Sequence, residues 1–213
     1  MSRENRFNAV LWDFGGVLST SPFEAFARYE QEHGLPADFL RRVNATNPDT
    51  NAWARLERNE LSLDEFGRAF ADESRALGHE VDGRYVLGLL GGDLRPEMFR
   101  AIARIRDHGL RTALLTNNVV AMDGSWSSTL PAPLDELFDV VVESSKAGVR
   151  KPGPAAYELV LRDLGVPAEE VVFLDDLGIN LKPARAMGMT TIKVTDAASA
   201  LTELGSLLGF DVR

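Results

Sequence analysis

Cysteine is absent from the 213 residues, so neither a disulfide framework nor a thiolate metal site is available to this chain. Histidine is scarce. His33, His79 and His108 stand far apart on helix-like or turn segments, which gives little support to a histidine metal site or triad and suits surface or capping positions instead. No apolar run approaches the roughly 18 residues of a membrane span, and the opening "MSRENRFN" lacks the apolar core of a secretory signal. The expectation is a soluble, cytoplasmic chain with no membrane partner. Positive charge is in deficit: 23 basic residues against 32 acidic ones leave a formal net charge of −9, a field that repels polyanions and argues against nucleic acid as a partner.

What is present is a run of short apolar, β-branched segments. "NAVLW" (8–12), "LRTALLT" (110–116), "FDVVVES" (138–144), "EVVFLDD" (170–176) and "TTIKVT" (190–195) carry their apolar residues consecutively, as strands covered on both faces do. Amphipathic helix patterns lie between them. "PEMFRAIARIRDHG" starts at Pro96 and stops at Gly109, and "GPAAYELVLRDLGV" runs from Pro154 to Gly165. "NLKPARAMG" and "ASALTELGSLLG" supply two more. This alternation predicts an α/β fold, a doubly wound parallel (Rossmann-like) sheet core. Residues 20–92 interrupt it with helix patterns and no convincing strand, including "SLDEFGRAFADESRALG" with its Ser62…Glu65 capping box. They read as an inserted helical cap (20–92) on a core made of 1–19 and 93–213. The Ser, Pro and Gly-rich "DGSWSSTLPAP" (123–133) reads as a loop long enough to border a site.

Ligands of open α/β sheets bind beyond the carboxyl ends of the strands. Asp13 follows the first strand, Thr116 with Asn117 and Asn118 the second, and Asp175 with Asp176 the fourth, while Lys151 in "VRKPGP" opens a helix after the third. Each aspartate alone suits a cap or a loop; their joint placement does not. Clustered carboxylates repel unless a cation neutralises them, and oxygen-only ligands favour a hard ion such as Mg²⁺, which shares its sphere with water and phosphate. A carboxylate can also attack phosphorus and form an aspartyl-phosphate, with a lysine, a hydroxyl and Mg²⁺ neutralising the transferring group. Asp13, Lys151 and Thr116 fit those roles. Lys146 suits a solvated surface, and Arg150 is open between surface and anion binding.

These segments resemble, in order and over nearly the whole chain, the four motifs of the haloacid dehalogenase-like hydrolase superfamily: "VLWDFGGVL", "LLTNN", "RKPGPAAYELVLRDLGV" and "VVFLDDLGIN". The phrasing is similar to the phosphatase-like N-terminal domain of soluble epoxide hydrolases and its bacterial relatives. The resemblance implies Asp13 as nucleophile, Thr116 and the Asn117 backbone as phosphoryl-binding groups, and Lys151 as the charge stabiliser. It implies Mg²⁺ held by Asp13, the Gly15 carbonyl, Asp176 and Asp175, the last directly or through water. Asn180 is either a supporting polar residue or a helix N-cap.

The chain departs from the family at position 15, where phosphatases of this superfamily carry a second aspartate as acid and base; here it is Gly15. The expected activity is a Mg²⁺-dependent phosphatase acting on a small phosphorylated metabolite, with preference for good leaving groups. Ser19, Thr20 or a water are open as substitutes for the missing acid. The alternatives are a metal-free 2-haloacid dehalogenase, against which the Asp175–Asp176 pair argues, and a catalytically weak domain binding a phosphorylated ligand or a protein partner, which Gly15 favours. Phe23, Phe26, Trp53 and Phe66 sit at helical spacing in the cap, as core or as pocket lining. Monomer and homodimer are both compatible with the sequence.

Overall fold

The computed structural model describes residues 6–118 and 130–213. Most of the loop expected at 123–133 therefore lies outside the described residues. Among those described, strands β1 (Ala9–Trp12), β2 (Arg111–Thr116), β3 (Val140–Glu143), β4 (Val171–Asp175) and β5 (Thr190–Lys193) form one parallel sheet in the order β3-β2-β1-β4-β5. The doubly wound core expected from the alternation is present. Strand ends retract by a residue or two from the apolar runs, because those runs continue into the turns that leave the sheet.

Strand parity sorts the core into two layers. Val10, Trp12, Leu114, Val172 and Leu174 pack against α6 (Pro96–Asp107) and α11 (Ala197–Leu208), whereas Ala9, Leu11, Ala113, Leu115 and Phe173 face α9 (Pro154–Leu164) and α10 (Gly178–Ala186). Central strands β1 and β4 are buried on both faces, which is why their sequences are continuously apolar. The edge strands β3 and β5 are only partly covered. Pro96 and Pro154 occupy the first turns of their helices, where a missing N–H costs nothing, and Gly165 closes α9 at φ 63°.

Helices α1 (Phe23–Glu32), α2 (Phe39–Ala45), α3 (Ala52–Glu57), α4 (Leu63–Ala76) and α5 (Gly83–Gly88) fall between β1 and α6. They gather around a hydrophobic cluster of their own, in which Phe66 and Phe70 are fully buried and Phe26 nearly so. Phe26 and Phe66 are thus core residues, with Phe23 and Trp53 packed partly buried against them. The capping box of α4 is formed from both sides: the Ser62 side chain accepts from Glu65 N, and the Glu65 carboxylate accepts from Ser62 N at 2.8 Å. The segment enters and leaves through a short antiparallel pairing, with Thr20 N donating to Asp93 O at 2.8 Å and Arg95 N to Leu18 O at 2.8 Å. Two short helices, α7 (Leu134–Leu137) and α8 (Ser144–Ala147), flank β3.

All three histidines are exposed. Nδ1 of His33 and of His108 lies 2.9 Å and 2.8 Å from a carbonyl one turn back, and His79 packs edge-on against Phe39. Among the described residues no helix is long and apolar enough to cross a membrane.

If the helical insertion holds together through its own cluster, Phe66→Ala should cost about 3–5 kcal/mol in urea unfolding. A loss below about 1 kcal/mol would show that the cluster contributes little.

Candidate functional site

The order β3-β2-β1-β4-β5 reverses direction between β1 and β4, and the crevice at such a switch point is where open α/β sheets bind ligands. Asp13 is the first residue beyond β1, and Asp175 the last of β4. Backbone bonds hold both in register: Asp13 N donates to Leu174 O at 2.9 Å, and Val194 N to Asp175 O at 3.0 Å. Parity puts Asp13 and Asp175 on the side of the sheet that carries α9, and the loop before α9 delivers Lys151 there.

Lys151 is the centre of the arrangement. Its ammonium, 1% exposed, lies 2.7 Å from Asp13 Oδ1 and 2.8 Å from Asp175 Oδ2, and 5.6 Å from the centre of the Phe173 ring. Burial opposes its charge, but the two carboxylates outweigh that and raise its pKa. Asp13 Oδ1 also accepts the Phe14 N–H at 2.7 Å. Burial pushes the Asp13 carboxyl well above the usual carboxylate range, Lys151 pulls it back, and Asp175 pushes it up again. Asp175 is fully buried and saturated with donors. Its oxygens accept from Lys151, from Leu177 N at 2.8 Å and from Asn180 Nδ2 at 3.1 Å.

Asn180 is therefore a supporting polar residue; Leu177, not Asn180, caps α10. Its own carbonyl accepts the Tyr157 hydroxyl at 2.7 Å, which ties the β4 loop to α9.

Asp176 is half-buried and held more loosely, with Ser21 Oγ 3.4 Å from Oδ2. Burial first and Asp175 second push its pKa up to about 6. Ligand oxygens of Asp13, Asp175 and Asp176 lie within 4.8 Å of one another, a set of hard donors that fits a divalent cation. Gly16 makes that approach possible. At φ +76° a Cβ there would sit 2.2 Å from Asp176 Oδ2. Gly15 differs, since a Cβ would meet nothing within 4 Å.

Thr116, 8% exposed, ends β2 beside β1. The Asn117 side chain grips the Lys151 backbone from both sides, accepting from Lys151 N at 2.9 Å and donating to Lys151 O at 2.9 Å. Asn118 secures the neighbouring loop through Glu143, Ser144 and Ser145. Ser19 and Thr20 face the crossing into the helical insertion instead: Ser19 Oγ lies 3.3 Å from Thr20 O, and Thr20 Oγ1 accepts from Asp93 N at 3.0 Å.

The local positive patch read from "SSKAGVRKPG" is largely engaged within the protein. Lys146 pairs with Glu143, and Arg150 pairs with Glu57 of α3. Glu57 and Ser21 are the polar groups near the site that sequence reasoning missed. Nothing in "WARLERNE" separates a buried glutamate from an exposed helical one, while Ser21 is one of several hydroxyls in "STSP".

A model of the haloacid dehalogenase-like hydrolase family matches residues 7–188, and the chain belongs to that family. It is 37% identical over 212 residues to acyl-CoA dehydrogenase family member 10 of Mus musculus, covering 96% of this chain and 19% of that protein. It is 32% identical over 212 residues to bifunctional epoxide hydrolase 2 of Mus musculus, covering 93% and 38%. The chain thus spans 19% and 38% of the length of these two relatives. Sesquiterpene phosphatase astK of Aspergillus oryzae is matched along 97% of its length, at 28% identity over 95% of this chain. Among solved structures, a HAD-like family hydrolase of Porphyromonas gingivalis aligns with TM-score 0.63 and 26% identity, over 93% of this chain and 98% of that one. A HAD family enzyme of Bacteroides thetaiotaomicron, solved in complex with magnesium and inorganic phosphate, shares the fold with TM-score 0.61 at 20% identity, over 89% and 96%.

The raised Asp176 pKa has a consequence for stability. An acid whose folded pKa lies above its unfolded value keeps a proton that the unfolded chain has released, so stability falls as pH rises from 3.8 through about 6 and stays lower above that. In the presence of chelator, Asp176→Asn should stabilise the protein at pH 7 by on the order of 2 kcal/mol in urea unfolding, with the gain vanishing near pH 4. A destabilised variant at pH 7 would contradict this electrostatic picture.

Proposed function

We propose that this hydrolase is a phosphoric monoester hydrolase, with Asp13 as the nucleophile and a small phosphorylated metabolite as substrate. The observation that carries the reading is the Lys151 ammonium held between Asp13 and Asp175, with Asp176 completing a carboxylate set at the sheet's switch point. The phosphatase name of the Aspergillus relative, and the magnesium and phosphate bound by the Bacteroides neighbour, support it. Residues 1–19 and 93–213 form the catalytic core in this reading, and 20–92 the cap over it.

The residues divide the work as follows. Lys151 and the Phe14 N–H fix Asp13 Oδ1, which leaves Oδ2 to form the bond to phosphorus as the ester oxygen departs. Lys151 also offsets charge on the transferring group, with Thr116 Oγ1 and the Asn117 N–H as further donors. Water then cleaves the aspartyl-phosphate, releasing phosphate and restoring Asp13. Asp13, Asp176 and the Gly15 carbonyl would hold Mg²⁺, with Asp175 as the buried anchor beside them, since its oxygens are saturated by Lys151, Leu177 and Asn180. Bound there, Mg²⁺ neutralises carboxylate and phosphoryl charge.

No side chain at position 15 can protonate the leaving group. Phosphates whose leaving oxygen departs as a stable anion, such as acyl, anomeric and aryl phosphates, are therefore favoured over alkyl ones. Carboxylates packed this closely suit a metal-free, halide-displacing enzyme poorly, which argues against 2-haloacid dehalogenation.

A screen for phosphate release with and without Mg²⁺ tests the function. Asp13→Asn should lower turnover by at least roughly 10³-fold; an active variant would defeat the mechanism. Because a Cβ at position 15 would meet nothing within 4 Å, Gly15→Asp should be sterically tolerated and, with Mg²⁺ present, raise alkyl-phosphate turnover by about 10–100-fold, with a smaller gain on aryl phosphates. Turnover that stays level or falls would show that the missing acid is not limiting. Stoichiometric phosphorylation of Asp13 without multiple turnover would identify a weak, ligand-binding domain instead.

A further inference from the structure

Glu57, the last residue of α3, is a cap carboxylate buried against the core at 7% exposure. It collects donors from three places. Trp53 Nε1 on its own helix lies 3.0 Å from Oε1; Arg150 Nε, from the residue before Lys151, bonds Oε2; and Asn117 Nδ2 reaches Oε2 at 3.4 Å. Arg150 extends the link with a second bond, from Nη1 to Pro48 O in the loop ahead of α3, at 3.0 Å.

Both core partners bear on Lys151. Arg150 precedes it in the chain, and Asn117 clamps its backbone through both atoms of the side-chain amide. Polar contacts thus run from the cap helix to Arg150 and Asn117, and from Asn117 to the backbone of Lys151, whose side chain carries the ammonium that bridges Asp13 and Asp175. Burial raises the Glu57 pKa and Arg150 opposes that rise, so the carboxylate is costly to hold without its partner. An ion pair with its carboxylate buried in this way is a poor source of net stability compared with apolar packing, and registration is the best-attested use of such pairs.

We propose that Glu57 is a positioning residue: by pairing with Arg150 and Asn117 it couples the seating of the helical insertion to the placement of Lys151 between Asp13 and Asp175. The proposal rests on the phosphoryl-transfer reading for its effect on rate, but not for its effect on structure. Removing the Glu57 charge leaves the half-buried Arg150 guanidinium without its carboxylate partner and frees one restraint on Asn117. The Lys151 segment should then sample wider positions even though every group around Asp13 is intact.

Two measurements test it. In hydrogen exchange without substrate, Glu57→Gln should speed exchange at the amides of Lys151 and Gly153 by about 10-fold or more, while β1, β4 and α9 keep wild-type protection. With an aryl phosphate and Mg²⁺, Glu57→Gln should lower kcat by about 10-fold or more with KM changed less than about threefold, as misplacement of a catalytic group does. Arg150→Gln should reproduce both effects and serves if Glu57→Gln folds poorly. The double variant should lose no more than the worse single one, because the pair acts as a unit. Unchanged exchange at Lys151 in a folded variant overturns the proposal, as do additive losses in the double variant. A wild-type protein that releases no phosphate overturns the phosphatase reading alone and leaves the exchange result to decide the coupling.

Discussion

The arrangement of this molecule depends on one buried cation. An ammonium 1% exposed is tolerable only with opposite charge at hydrogen-bonding distance on more than one side. Lys151 finds that on two strands that are adjacent in space and far apart in sequence, at the ends of β1 and β4. The requirement propagates outward. Asp175 must be saturated by Leu177 and Asn180, Asn180 must be braced by Tyr157, and the Lys151 backbone must be gripped by Asn117. The Asp175 contacts close the turn from β4 into α10, Tyr157 ties that turn to α9, and Asn117 joins the loop after β2 to the loop before α9, so the site is built from the connections at the carboxyl edge of the sheet.

Much of this was legible in the sequence, for a physical reason. Strands covered on both faces must be apolar at every position, so a carboxylate directly after "AVLW" or closing "VVFLD" stands out as a group that burial would forbid unless something compensates it. Lys151 was readable from its place between a strand and a helix opened by Pro154. Its two partners were not, because parity assigns faces but cannot rank distances. The helical character of the insertion was plain from periodicity, yet its division into five helices was not, since short elements such as α3 and α5 are held by tertiary packing more than by their own pattern. Glu57 was invisible for a related reason. A charged residue at the end of a short helix reads as solvated, and only the approach of Arg150 from the core makes it an interior group.

Gly15 and Gly16 look equivalent in "DFGG", and the structure separates them. Gly16 is obligatory: its φ of +76° and the Asp176 carboxylate against its Cα leave no room for a side chain. Gly15 has ordinary backbone geometry and open space where a Cβ would stand, so no steric demand of the fold explains its identity. In the phosphatase reading the missing acid is therefore a chemical property of this chain and not a consequence of crowding, and its effect would fall on the leaving group while the Asp13–Lys151 pair is untouched.

Charge accounting around the crevice then limits which ligands the site can accept. Three carboxylates face one ammonium, while the neighbouring Arg150 and Lys146 are paired with Glu57 and Glu143. The uncompensated charge is negative, and burial has already lifted the pKa values of Asp13 and Asp176, which is the response of a site short of positive charge. A phosphate dianion entering such a site alone would be repelled; entering with a divalent cation it would relieve the same deficit that raises those pKa values. In the phosphatase reading a cation and an anionic substrate would therefore favour each other's binding, and the coupling would originate in Lys151 being a single positive charge among three acids.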